Sequence, residues 1–415
     1  MKKTLLAAAL CGAFTISAHA QSSVSLYGLM DAGIVYTNNQ LGHSNWQLAS
    51  GTTQNTVFGL KGSEDLGAGL HAVFKLEQGF MMNNGAQAFA GSAFGSQAWV
   101  GLQSDPYGTL TFGRQFDAMN DAVGPLTAGY NTWGGSLAGH PFENDNLAAN
   151  SVVINNSVKY ASPLYHGLTF ETMYSFSNKA GGFANNRSYG FGLAYARGPL
   201  NLAAGYLQFN NAGNGAGAVT TADTSANFIA ERQRVWSLGG NYTFGPATVG
   251  LVWSHTQIDN VAGVFSFGTG SYLGAAGDAT GTLGGSLRLD NYEVNAKYAL
   301  SPAWSVSGAY TFTHGAYNGS SPAWNSAMLQ TDYALSKRTD FYVEGGVPER
   351  ARRAGRFGVV ARDDQHAVAV VDEFAGRGHG RHAPRVLTLA RRGRGAATVR
   401  CPHDCAAAIT CDASA

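Results

Sequence analysis

His71, His140, His166, His255 and His314 are the residues of this sequence best suited to proton transfer or metal binding, and they come one at a time. An enzyme needs a nucleophile, a base and an orienting group within reach of one another. The sequence holds neither a Gly-x-Ser-x-Gly elbow nor a His-Glu-x-x-His pair to supply that geometry, so catalysis is not expected. Cys401-Pro402-His403-Asp404-Cys405 with Cys411 has zinc-binding chemistry, but the spacing is irregular, one histidine serves three thiols, and no folded context surrounds them. Arg391-Arg392-Gly393-Arg394-Gly395 resembles an RNA-binding RG segment and lacks a folded context in the same way. Gly213, Gly215 and Gly217 lie in a polar stretch without the preceding strand and following helix that a phosphate cradle requires. No cofactor and no metal are implied.

The chemistry left is that of charge and shape, which depends on the elements that carry it. Lys2 and Lys3, an apolar run from Leu5 to Ile16 and Ala18-His19-Ala20 have the form of an export signal over residues 1–20, with the mature chain beginning at Gln21. A lipoprotein reading through Cys11 is disfavoured by the bulk of Leu10. Beyond Gln21 no apolar run is long enough for a membrane-spanning helix, so the remaining way through a bilayer is a closed β-barrel. Composition agrees, with 55 Gly, 18 Tyr and 22 Phe but only 13% charged residues, as suits strands that face lipid on one side and water on the other. From 21 to 345 there are 13 Lys and Arg against 19 Asp and Glu, which argues against a nucleic-acid partner, and no cysteine.

Alternation with a period of two is clear in several segments. Leu168, Phe170, Thr172, Tyr174 and Phe176 alternate with Thr169, Glu171, Met173 and Ser175, and Tyr292, Val294, Ala296, Tyr298 and Leu300 alternate with Glu293, Asn295, Lys297 and Ala299. Trp304 to Phe312 repeats the pattern. A soluble β-sandwich would share this alternation, but aromatics at Tyr160, Phe176, Phe244 and Tyr298 mark strand ends, as in an interfacial girdle. Short turns at 65–69, 105–108 and 300–302 alternate with long loops such as 210–227 and 261–286. Some 325 mature residues then correspond to roughly sixteen strands at about 20 residues each.

In order and spacing, a set of short motifs resembles the Gram-negative general porins, especially the trimeric sixteen-stranded group of β-proteobacteria. They are Ser25-Leu26-Tyr27-Gly28 with Asp31, Phe58-Gly59-Leu60-Lys61-Gly62-Ser63-Glu64-Asp65-Leu66-Gly67, Val100-Gly101-Leu102 and Thr111-Phe112-Gly113-Arg114-Gln115. Gly124-Pro125-Leu126, His140-Pro141-Phe142, Asn156-Ser157-Val158-Lys159-Tyr160 and Tyr333-Ala334-Leu335-Ser336-Lys337-Arg338-Thr339 follow. The resemblance implies an all-β transmembrane up-and-down barrel, a homotrimer in the Gram-negative outer membrane, with outer-membrane lipid and lipopolysaccharide around it. It also implies passive diffusion of ions and small hydrophilic solutes. A third long loop, Gln115 to about Ala149, is expected to fold inward, setting Asp117, Asp121, Glu143 and Asp145, with Arg114 across from them, at a constriction. Lys61, Lys75, Glu77, Lys159, Glu171, Glu293 and Lys297 are the expected pore-wall charges. A barrel acting as an adhesin, a receptor or a solute-specific channel is the alternative.

This sequence departs from the family pattern at two places. Val57, Ser96 and Val153 stand where family members often place Arg, which predicts a pore leaning toward cations. From about Gly346 the composition changes: twelve of nineteen arginines fall in the last 70 residues, without lysine, tyrosine or tryptophan. Porins of this class end on an aromatic residue in a closing strand, whereas this chain ends Cys411-Asp412-Ala413-Ser414-Ala415. A shifted reading frame near Gly345 accounts for the change, leaving the closing strand missing and the chain a porin remnant if it cannot insert. A real basic extension is the other reading.

Overall fold

In a strand, alternate side chains point to opposite faces. Here one face of nearly every strand is oily and exposed, as at Leu26, Val100, Leu193, Leu251 and Leu329, while the other carries Ser, Thr, Gln, Asn and charge. The computed structural model describes residues 23–40, 43–149, 152–213, 217–220, 226–264, 285–319, 321–349 and 366–371. The segment expected to be an export signal, parts of several connections and most of the tail lie outside the described residues.

The strands are β1 Ser23–Leu29, β2 Ala32–Gln40, β3 His43–Ser50, β4 Val57–Gly67, β5 Leu70–Gly79 and β6 Gln97–Ser104. Next are β7 Gly108–Gln115, β8 Ile154–Ala161, β9 Leu168–Ser175, β10 Ser188–Arg197, β11 Leu200–Ala212 and β12 Phe228–Phe244. The last are β13 Ala247–Val264, β14 Ser286–Ala299, β15 Trp304–Tyr317, β16 Ala323–Ala334, β17 Asp340–Glu349 and β18 His366–Val371. From β4 to β18 each strand pairs antiparallel with the next. The first hairpin is interrupted: β1 pairs with β4 while β2 pairs with β3. Counting β1 with β2 and β3 with β4 as single passes, the eighteen segments trace sixteen passes, as expected. Among the described residues no helix is long and apolar enough to cross a membrane.

A long closing strand ending in an aromatic residue is absent among the described residues. The place between β17 and β2 is spanned by β18, six residues that pair with both neighbours. Beside this seam, Asp31 fills the break between β1 and β2. Its carboxylate accepts the Thr53 and Gln54 amides at 2.9 and 3.2 Å and the Tyr342 hydroxyl of β17 at 2.7 Å. The Thr52 hydroxyl joins the same group, bonding both Asp31 and Tyr342.

The described part of the third long loop, residues 116–149 and 152–153, lies inside the ring of strands. Asp117 starts a one-and-a-half-turn helix, Ala118–Val123, by accepting the Met119 and Asn120 amides at 2.9 Å. Two wall glycines let this helix lie against the sheet. A Cβ on Gly192 would sit 2.0 Å from the Ala118 carbonyl oxygen, and one on Gly205 2.5 Å from Met119 Cγ. Met119, Val123 and Leu126 bury themselves with Ala203, Leu207, Val235 and Val252, so part of the lumen is filled by a small hydrophobic core. Full burial of a side chain such as Met119 is worth roughly 1.5–3 kcal/mol, enough to hold a loop whose backbone is mostly irregular. Further along, the helical turn Gly135–Ala138 packs on β15, β16 and β17.

Candidate functional site

Filling one side of the lumen leaves the other open. A cavity of about 880 Å³ runs between the loop and the inner face of β1 and β4 to β9. Period-two parity on β4 and β5 predicts Lys61, Lys75, Val57 and Val73 on the inner face, and all four line this space. With them are Glu77, Lys159 and Glu171 from the wall and Asp121 from the loop helix. Lys75 bonds Glu77 at 3.0 Å. Lys159 bonds Asp121, lies 3.8 Å from Glu171 and donates to the Phe116 carbonyl at 3.1 Å. Lys61 forms no ion pair among the described residues, and its ammonium lies 5.4 Å from the centroid of the Tyr27 ring. Tyr27 in turn donates to Glu77 at 2.8 Å.

The other expected constriction residues face elsewhere. Arg114, 9% exposed, is enclosed beneath residues 80–96, where it donates to the Gly95 carbonyl and the Asn155 side chain, both at 2.6 Å, and lies over Phe89. Asp117 is wholly buried as the helix cap, bonded also by Asn146, and that burial pushes its carboxyl up to about 7 against the pull of the Asn120 amide. Glu143 is partly exposed as a residue, yet its Oε2 is enclosed without a hydrogen-bond partner. Desolvation, and then the nearby Asp145 carboxylate, raises that carboxyl to about 8. Lys297 stands half-buried on the inner face of β14, outside the lining of the cavity.

Asp145 and Glu293 are joined by a residue that the sequence offers only as part of a motif. His140 lies between them, Nδ1 2.5 Å from Asp145 Oδ2 and Nε2 3.0 Å from Glu293 Oε2, all three at 5% exposure or less. Burial alone would push the imidazole down, but Asp145 and Glu293 outweigh it and hold it up to about 10. Burial likewise works to raise Asp145, and the imidazolium beside it holds that carboxyl below its usual range. Glu293 also accepts the Ala128 amide at 2.8 Å, and Ser254 donates to Asp145. Ser254 therefore bonds the acid and not the imidazole, which is the wiring of an anchor. The cluster fixes the far end of the loop to β13 and β14.

A profile of the Gram-negative porins matches residues 6–350. An outer membrane porin protein of Bordetella pertussis is 34% identical over 379 residues, covering 83% of this chain and 94% of its own. This chain belongs to the Gram-negative porin family. Among solved structures, an anion-selective porin from Comamonas acidovorans aligns with a TM-score of 0.60 at 19% identity, covering 85% of this porin and 99% of that chain. The trimer form of OmpT, an outer membrane protein of Vibrio cholerae, aligns with a TM-score of 0.57 at 14% identity, over 85% and 99% of the two chains. At these identities the likeness is one of fold.

The porin therefore sits in the outer membrane of a Gram-negative bacterium. Exposed Tyr107, Tyr165, Phe244, Tyr298 and Trp304 cluster at the short-turn ends of the strands, where an interfacial girdle belongs. Sequence reasoning missed Tyr130, whose place on the cavity follows from the path of the loop, and the part of His140 in anchoring it. Of the three positions that lack the family's Arg, Val57 alone borders the opening. Ser96 and Val153 are buried at 2% and 1% exposure.

Proposed function

We propose that the porin is a passive, water-filled channel for ions and small hydrophilic solutes, with a weak preference for cations, and that it works as a trimer. The observation that carries this reading is the opening itself. Its fixed charges come as three ammonium groups, Lys61, Lys75 and Lys159, against three carboxylates, Glu77, Asp121 and Glu171, with Lys75 and Lys159 already paired. A balanced waist passes both signs of ion, since a fixed ring of charge at a narrow, low-dielectric passage is what sorts ions. The tilt toward cations comes from the acidic balance of residues 21–345 and from Arg114 being taken up by the 80–96 loop. Solutes move down their own gradients, sorted by size and charge. The rings that border the opening, Tyr27, Phe74, Trp99, Phe116 and Tyr130, form no stacked ladder among the described residues of the kind that guides one class of solute.

The domain limits belong to the same reading: an export signal over 1–20, the barrel over 21–345 and a frame-shifted tail over 346–415 from which β18 is drawn. The test is the reversal potential of single channels in a salt gradient across a planar bilayer. A modest cation-selective potential is expected, and clear anion selectivity overturns the preference while leaving the channel intact.

A further inference from the structure

Of the three lysines on the opening, Lys61 alone has no carboxylate partner among the described residues. The registers of β1, β4, β5 and β6 set it in a row across the inner wall, Ser25, Lys61, Lys75, Trp99. One step toward the long loops, the next inward row reads Tyr27, Gly59, Glu77, Gln97. Gly59 is the gap in that row. A Cβ there would sit 2.7 Å from the Tyr27 hydroxyl oxygen, so the phenol lies across the glycine on its way to Glu77. Both ammonium groups stand near its ring, Lys61 at 5.4 Å and Lys75 at 5.6 Å from the centroid.

A chain of hydrogen bonds occupies the neighbouring polar groups. The Trp99 indole N–H donates to the Gln97 carbonyl at 3.0 Å, and the Gln97 amide donates to Glu77 at 3.4 Å. Glu77 also accepts the Tyr27 hydroxyl at 2.8 Å and pairs with Lys75 at 3.0 Å. The polar edges of both rings and the charge of Lys75 are thereby engaged within the two rows, and the charge of Lys61 is not. Trp99, held at its N–H, borders the cavity together with Val73. Lys61 and Trp99 are two strands apart, about 10 Å between backbones. A carboxylate joined to one six-membered ring bridges an ammonium and an indole at that separation. A second negative charge would meet Glu77 beside it and Asp121 and Glu171 elsewhere on the cavity, and a cationic head would meet two ammonium groups.

We propose that the inner wall of β1, β4, β5 and β6 is a binding seat for aromatic monocarboxylates, small solutes of the benzoate class. The carboxylate sits on the Lys61 ammonium, and the ring lies against the Trp99 indole and Val73. A single seat is not a ladder: it holds this class briefly in transit and leaves the way open to other solutes. The inference deepens the reading of the porin as a passive channel and rests on it, and the test separates the two.

The full chain, folded in detergent and checked for a heat-modifiable band on gels, is placed in a planar bilayer in potassium chloride. Benzoate, cyclohexanecarboxylate, acetate and benzylammonium are then added in turn, and the fall in conductance and the added current noise are read. Benzoate is expected to act at a concentration about tenfold lower than acetate, with cyclohexanecarboxylate between them and benzylammonium without effect. Lys61→Gln is expected to bring benzoate to the level of acetate, a loss of about tenfold. Trp99→Leu is expected to bring benzoate to the level of cyclohexanecarboxylate, a loss of about threefold. Benzoate and acetate acting alike on a conducting wild type overturns the seat and leaves the channel, as does a benzoate effect unchanged in both variants. Benzylammonium acting as strongly as benzoate also overturns it, marking apolar association without the lysine. If a variant lacks the heat-modifiable band, the solute series on wild type decides alone. A folded wild type without conductance would remove the channel reading, and the seat with it.

Discussion

At the residue scale the opening and its support divide the charged side chains between them, and the division can be tested. Arg114 is a strut, so Arg114→Ala is expected to lower thermal stability by about 2–4 kcal/mol, the cost of stranding its buried partners, while leaving the reversal potential within error. Val57→Arg points a cation into the opening and is expected to move the reversal potential toward anions; Ser96→Arg, at a position 2% exposed, is expected to reduce folded protein instead. The His140 anchor has a pH signature. A folded-state value near 10 against an ordinary one of 6.5 means that its contribution is full below pH 6.5 and is lost as pH rises through about 10. Open-channel current noise should therefore grow over that window in wild type, and His140→Ala should show the noisy behaviour already at neutral pH. The carboxylates facing the ring are Asp145 and Glu293, and at low pH Asp145 is the group to watch, keeping its charge to below its usual range. Lys61 and Lys75 were legible from parity alone. Asp145 and Glu293 were legible as charges but not as partners, because nothing in local spacing tells that His140 joins a loop to a strand 153 residues away.

At the scale of elements, the strands could be read from their own residues, whereas the inward loop was expected from the family resemblance alone. Two-residue alternation is a local property, so β9, β14 and β15 could be read from their own residues. The seat of the loop's first helix, Ala118–Val123, depends on gaps left in distant strands by Gly192 and Gly205, and glycine in a strand has several other meanings. Gly205→Leu is expected to lift the Ala118–Val123 helix from the wall. The barrel should still form, judged by its heat-modifiable band, but single-channel conductance should change and become broadly distributed. β18 lay hidden for a related reason, since six residues in a tail of foreign composition carry no girdle aromatic and no long alternation. If it spans the seam as its pairings with β17 and β2 describe, removing residues 372–415 leaves the heat-modifiable band in place, and removing 366–415 abolishes it.

At the scale of the whole molecule the oily exterior followed from period, the alternation of short and long connections from turn signals, and the roughly sixteen passes from chain length and the family resemblance. The selectivity of the channel did not, because it depends on which charges reach the opening and which are consumed in holding the loop. The group at Asp31 and Tyr342 has a consequence for time as well as for shape. Its two members are 311 residues apart in sequence, so their hydrogen bond forms only after nearly the whole ring has assembled. A contact of that separation is closed late, since the loop entropy must be overcome before the bond repays it. It should therefore be largely unformed in the transition state for folding. Tyr342→Phe is then expected to leave the rate of refolding into detergent almost unchanged and to speed unfolding, shortening the life of the assembled barrel without hindering its birth.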